Sequence, residues 1–342
     1  MNGNPISISN LLLGYGKNNP LLPAFSVDAH KGEFIALVGR NGIGKSTFIR
    51  TIIGSQHPLE GTISLQGAPI KKIGRAQRAK LIAYVPSEQV RIPNLYIRDF
   101  VSLARFPHLG WSKSLSLSDW SVVDTSLLLV GIEHLASRDI ATVSDGERQR
   151  AMIAFALAQD SSIILLDEPT AFLDLPHKFE MVRLLSNLAR NQQKTIIYST
   201  HDLQGAITEA DTIWMMLESG FISGCPEDIV LNNHFDKLLG NSHIVFERET
   251  GAFKNYRKST DEIALTGQNE IFFWTKKMLE RLGYTITAEP KGEAKIECIS
   301  TNKHIWKVYI DNILQFEAFS LTELSHWLMQ YKLHKNEKTD TQ

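Results

Sequence analysis

Nine consecutive residues carry the clearest chemistry in this chain: Gly39-Arg40-Asn41-Gly42-Ile43-Gly44-Lys45-Ser46-Thr47. Three glycines free of a Cβ let a backbone curl closely around an anion. Lys45 adds a mobile positive charge for terminal phosphates, and the Ser46 hydroxyl is placed to ligate Mg²⁺. The run is preceded by the apolar Phe34-Ile35-Ala36-Leu37-Val38 and followed by Phe48-Ile49 and Ile52-Ile53. Strand, glycine loop and helix is the context such a loop needs, because a helix start adds backbone N–H groups and the positive end of its dipole.

A second cluster lies further on. Ser162-Ile163-Ile164-Leu165-Leu166 reads as a central parallel strand and ends in Asp167-Glu168. Carboxylates at the end of a buried strand need a partner or a metal. Asp167 is placed to hold Mg²⁺ with Ser46, and Glu168 to accept a proton from, or orient, an attacking water. Thr195-Ile196-Ile197-Tyr198-Ser199-Thr200 is another such strand and ends in His201. That puts His201 at the same sheet edge, where α/β sheets bind ligands, with γ-phosphate sensing as its expected role. Ser144-Asp145-Gly146-Glu147 has capping-box spacing before a helix over Arg148–Ala158. The same helix start can serve as an anion site, and Gly146 permits close approach of a phosphate.

Further elements must position these groups. Ile6–Leu13 reads as a strand leading to Tyr15, an aromatic that either stacks on a nucleobase or packs locally. Gly61–Leu65 and Ile82–Pro86 read as strands, and Ile97–Arg105 and Trp120–Val130 as helices. Ile213–Leu217 and Gly220–Gly224 form a closing hairpin. From about residue 250 the pattern changes. Asn269–Leu282 is an amphipathic helix, followed by strands over Tyr284–Thr287, Ala294–Cys298 and Ile305–Ile310, a further strand over Leu314–Phe319 and a helix over Leu321–Tyr331. Three of the six tryptophans fall here, so the segment has its own core.

With 342 residues the chain has room for two domains, and its net charge of −1 gives no basis for nucleic-acid binding. Two widely spaced cysteines, Cys225 and Cys298, fit a reducing compartment. No stretch approaches the ~20 apolar residues of a spanning helix, and no leader is evident. A cytoplasmic protein is expected, with any membrane role exercised through a partner.

Taken together, the motifs over most of residues 6–240 resemble the nucleotide-binding subunit of ATP-binding-cassette transporters. Gly39–Thr47 matches its Walker A loop, Tyr15 its adenine-stacking aromatic, and Ser144–Arg150 its signature. Ile163–Glu168 matches Walker B, Ala171-Phe172-Leu173-Asp174 the dimer-contacting loop, and His201 the switch histidine. Two positions depart. Asp145 stands where the signature usually has a second glycine, and the glutamine after Tyr84-Val85-Pro86 would fall at Ser87, with Gln89 two residues late.

The resemblance implies a P-loop NTPase cassette, an α/β fold with a mixed β core, over 6–240 and a helical subdomain near 90–160. A linker is expected over 241–260 and a small α+β domain over 261–335, outside the usual pattern and read as regulatory. It also implies ATP and Mg²⁺ as cofactors, with Lys45, Glu168 and His201 catalytic. Residues 39–47, Tyr15, Ser144 and Gly146 would hold nucleotide, and Ser46 and Asp167 metal. Arg105–Gly110 and Leu175-Pro176-His177 narrow the likeness to importers of ferric siderophores, haem and cobalamin. The implied assembly is a homodimer under integral membrane permease subunits, peripheral on the inner face of the membrane and served by a substrate-binding protein. A soluble cassette ATPase uncoupled from transport is the alternative.

Overall fold

The computed structural model describes residues 3–15, 19–88, 90–109, 114–171, 173–240, 243–248, 250–255, 261–287, 294–300 and 303–339. Two compact units emerge: Met1–Gly240 with Phe246–Ala252, and Asn241–Val245 with Phe253–Gln342.

In the first unit the elements run β1 (Ile6–Leu12), β2 (Phe25–Ala29), β3 (Phe34–Gly39), α1 (Lys45–Ile53), β4 (Glu60–Leu65), β5 (Ala68–Pro69), α2 (Arg75–Leu81) and β6 (Ile82–Val85). Then come α3 (Ile97–Ser102), α4 (Leu117–Leu129), α5 (Asp145–Ala158), β7 (Ile163–Asp167), α6 (Leu175–Gln192) and β8 (Thr195–Ser199). The unit continues through α7 (Leu203–Glu209), β9 (Thr212–Leu217), β10 (Gly220–Gly224), α8 (Pro226–Leu231) and α9 (His234–Leu239).

A six-stranded sheet has the order β10-β9-β3-β8-β7-β6, all parallel except β10. Strands β3, β7 and β8 are buried along their whole length, which is why they read as unbroken apolar runs. An antiparallel sheet, β2-β1-β4-β5, contributes Ile6, Ile8, Phe25 and Ile63 to a core shared with Phe48 and Ile49 of α1 and Trp214 of β9. Each large apolar side chain buried there stabilises the fold by roughly 1.5–3 kcal/mol.

Helices α3, α4 and α5 pack on one another. The helix expected over Ile97–Arg105 stops at Ser102, and Leu103–His108 tightens into a 3₁₀ run containing Pro107. A proline there cannot donate to the carbonyl four residues back, and its ring crowds that turn. Arg105 within the run donates to Asp119 (2.9 Å) and to the Ala158 carbonyl (2.8 Å), tying α4 to the end of α5. Helix α4 starts three residues ahead of the expected Trp120, because Ser116 and Asp119 form a capping box.

The stretch expected as a linker over 241–260 contains two paired strands, β11 (Ile244–Glu247) and β12 (Ala252–Asn255). The second unit then runs β13 (Asp261–Thr266), α10 (Asn269–Leu282), β14 (Tyr284–Thr287), β15 (Ala294–Ser300), β16 (His304–Ile310), β17 (Ile313–Ala318) and α11 (Leu321–Thr339). Its sheet order is β14-β13-β15-β16-β17, with β13 parallel to both neighbours and the last three strands antiparallel. The closing helix extends past Tyr331 to Thr339. Leu265, Leu279, Ile296, Trp306, Val308 and Leu324 form a core, confirming an α+β unit with its own apolar interior. At its centre the buried Thr275 hydroxyl accepts from Trp306 Nε1 (2.7 Å) and donates to the Ile271 carbonyl (2.6 Å).

Candidate functional site

The site begins at the C-terminal end of β3. Gly42 has φ +80° and Gly44 φ +108°, a region that L side chains rarely adopt. At Gly44 a Cβ would also meet Leu21 Cδ1 at 2.5 Å. The loop therefore has its bend only with glycine there, and α1 opens at Lys45. The Lys45 ammonium lies back across the loop, donating to the carbonyls of Gly39 (2.9 Å) and Arg40 (3.3 Å). Burial pushes its pKa down, while the charges of Glu168 and Asp167 oppose that shift. Tyr15 is 61% exposed, and its hydroxyl meets Thr47 Oγ1 at 2.5 Å. Its ring thus stands open beside the start of α1, available for stacking.

Strand β8 lies between β3 and β7, so the sheet delivers the second cluster to the same edge. Asp167 is 4% exposed and pairs in register with Ser199. The Ser199 hydroxyl donates to Asp167 Oδ1 (2.6 Å) and accepts from the Glu168 backbone N–H (2.9 Å). Glu168 has φ +51°, a conformation that costs a non-glycine residue roughly 1–3 kcal/mol and persists only where neighbours enforce it. His201 Nε2 donates to Glu168 Oε1 at 2.6 Å. Lys45, Asp167, Glu168 and His201 are thus gathered at one sheet edge. Ser199 is the residue that sequence reasoning missed. Its signal was a hydroxyl closing an otherwise apolar strand.

Ser144 and Gly146 belong to a different element. They sit on α5, which packs against α3, α4 and β6. The capping box is complete: Ser144 Oγ accepts from Glu147 N–H (3.3 Å), and Glu147 Oε2 accepts from Ser144 N–H (2.8 Å). That backbone bond, with the Ser144 hydroxyl, lowers the Glu147 pKa. A Cβ on Gly146 would meet only Leu173 Cδ2, at 3.6 Å, so the helix start is open to an approaching group. No hydrogen bond among the described residues links Ser144 or Gly146 to the phosphate loop. Asp145 is turned aside: its Oδ1 pairs with the buried Arg148 (2.5 Å) and with Arg91 (3.0 Å). Arg148 also donates to the carbonyls of Ile140 (3.1 Å) and Val143 (2.6 Å), fixing the turn ahead of α5. Gln89 and Phe172 lie outside the described residues.

Comparisons with known proteins give the family. The family model described as ABC transporter matches residues 22–171, and the one described as iron ABC transporter C-terminal domain matches residues 260–329. An achromobactin transport ATP-binding protein of Dickeya dadantii is 35% identical over 226 residues, 66% of this chain and 84% of that protein. The chain belongs to the ATP-binding subunits of ABC transporters. A petrobactin import ATP-binding protein of Bacillus anthracis is 36% identical over 221 residues, covering 64% of this chain and 81% of its own length. A solved metal-chelate type ABC transporter in an inward-facing conformation superposes with TM-score 0.62 at 28% identity, covering 69% of this chain and 89% of that one. As an ABC subunit the chain binds ATP and is a transport ATPase. No helix among the described residues is long and apolar enough to cross a membrane.

Proposed function

We propose that two copies of this chain close head to tail over two ATP molecules, and that the resulting hydrolysis drives import of an iron chelate through membrane permease subunits. The observation that carries the dimer is that, among the described residues, no hydrogen bond joins the phosphate loop to the open helix start at Ser144 and Gly146. The phosphate loop with its carboxylates is read as one half of a site, and the open helix start with Ser144 and Gly146 as the other half. A second copy supplies the missing half. In that arrangement Gly39 to Thr47 wrap the phosphates, Lys45 neutralises their charge and Tyr15 stacks on the base. Glu168 orients the attacking water, His201 contacts the γ-phosphate while bonded to Glu168, and Ser144 and Gly146 of the partner cap it. Ser46 and Asp167 offer hard oxygen donors, a hydroxyl and a buried carboxylate, which suit Mg²⁺. When bound, that ion neutralises phosphate charge. A substrate-binding protein would deliver the cargo, and the chain would lie peripherally on the inner membrane face. Iron chelate is favoured over cobalamin because residues 260–329 match a domain named for iron transporters.

The test is Glu168→Gln. Hydrolysis should fall by about 10²–10⁴-fold while ATP stays bound, and the ATP-loaded protein should elute as a dimer. Hydrolysis at the parental rate, or a monomer in saturating ATP, would overturn the reading.

A further inference from the structure

The second unit holds a groove that none of its own packing requires. It lies between α10 and α11, with a volume of about 590 Å³, within the range of small-molecule sites. Trp274, Lys277 and Arg281 recur at helical spacing along the α10 wall, and Met329 and His326 stand on the α11 wall. The Trp274 indole is 58% exposed and Met329 43%, so the groove offers a bare aromatic face and a polarisable one. The lining includes Lys277, Arg281 and His326 but no carboxylate, in a chain of net charge −1.

Ser325 adds a hydroxyl to this lining. It lines the groove from the α11 wall. That hydroxyl is a further hydrogen-bonding group for a bound molecule.

We propose that this groove binds a small aromatic anion. Its ring would lie on Trp274, its charged group against Lys277 and Arg281, and one of its oxygens would take the Ser325 hydroxyl. The concavity suits a molecule rather than a membrane. A second copy docked through the same face would set Lys277 and Arg281 against their own equivalents, which like charge disfavours. The proposal does not depend on the dimer or cargo readings.

The test titrates the full-length protein with 2,3-dihydroxybenzoate, and separately with its ferric complex, by calorimetry. Saturable one-site binding is expected with at least one of them. The pair shows whether the free anion or the chelate is the preferred source. Trp274→Ala and the double change Lys277→Ala with Arg281→Ala should each weaken binding by about tenfold or more. Ser325→Ala should weaken it less, and fluorescent ATP-analogue binding should be unchanged in all of them. All four substitutions face solvent or the groove, and a common melting profile would confirm intact folding. Failure of both probes to saturate below ~10 mM, a regime of negligible affinity, would overturn the proposal. So would affinity unchanged in the variants, displacement of the probe by ATP, or an altered oligomeric state in Trp274→Ala.

Discussion

The two units handle their polar groups in opposite ways. In the first, Lys45, Asp167, Glu168 and His201 converge on one strand edge, and Glu168 holds a strained backbone to be there. In the second, the core hydroxyl of Thr275 is satisfied by Trp306 and Ile271. Its sheet charges are matched nearest-neighbour to nearest-neighbour, Lys295 with Glu297 at 2.6 Å and Lys307 with Glu317 at 3.2 Å. Convergent charge held in strained geometry marks chemistry, whereas locally matched charge marks structure. Substitutions of comparable size should therefore lower activity in the first unit and stability in the second.

Among residues that act through others, the largest effect is expected at Ser199. Its hydroxyl is fully buried and serves Asp167 and Glu168 at once, so Ser199→Ala strips one bond from each. It acts through those residues, as a positioning group. The turnover number should fall by about tenfold or more with the KM for ATP little changed, and Ser199→Thr should restore it. Mn²⁺ affinity of the ATP complex, read by electron paramagnetic resonance, should weaken in parallel. If Ser199→Ala lowers the melting temperature yet leaves turnover and Mn²⁺ affinity at parental values, the hydroxyl is structural and the contrast between the units fails at its strongest point.

Much of the first unit was legible because its signals are local. The glycine loop, the apolar strands ending in acids and the Ser144–Glu147 cap each lie within a few residues of sequence. What escaped depended on neighbours far along the chain. Ser199 matters only because register places it opposite Asp167. Arg148 matters because it turns Asp145 away from the helix start. The 18-residue α6 was legible but overlooked: Asp174 caps it, Pro176 follows, and Met181, Val182, Leu185 and Leu188 form its buried face. The strands inside 241–260 had no comparable signal, because their partly exposed residues show no clean alternation.

A smaller effect, and of the other kind, is expected at Thr275. Thr275→Val keeps the shape but leaves Trp306 Nε1–H buried without this acceptor, a loss of about 1–3 kcal/mol. Tryptophan-monitored unfolding should report the destabilisation, while ATP affinity and turnover stay within twofold of parental. A matching loss of ATP affinity would mean that the second unit's core is not separable from the nucleotide site.

The smallest effect tests the rule within the first unit, at a charge that is locally matched. Hydrogen bonds from the Ser116 hydroxyl and backbone, then from Arg105, hold the Asp119 carboxyl down at about 2 against an ordinary 3.8. A carboxyl lowered on folding adds stability that is complete above its unfolded value and disappears as pH falls through the folded one. The Asp119 contribution should thus be intact at pH 5 and fade between pH 3.8 and about 2. Melting curves of the parental protein and Asp119→Asn should lie apart at pH 5 and converge toward pH 2, with turnover at neutral pH almost unchanged. Curves that stay parallel across that window would show that the pairing of Asp119 with Ser116 and Arg105 is not what anchors α4, and a fall in turnover would place a locally matched charge among the groups that work.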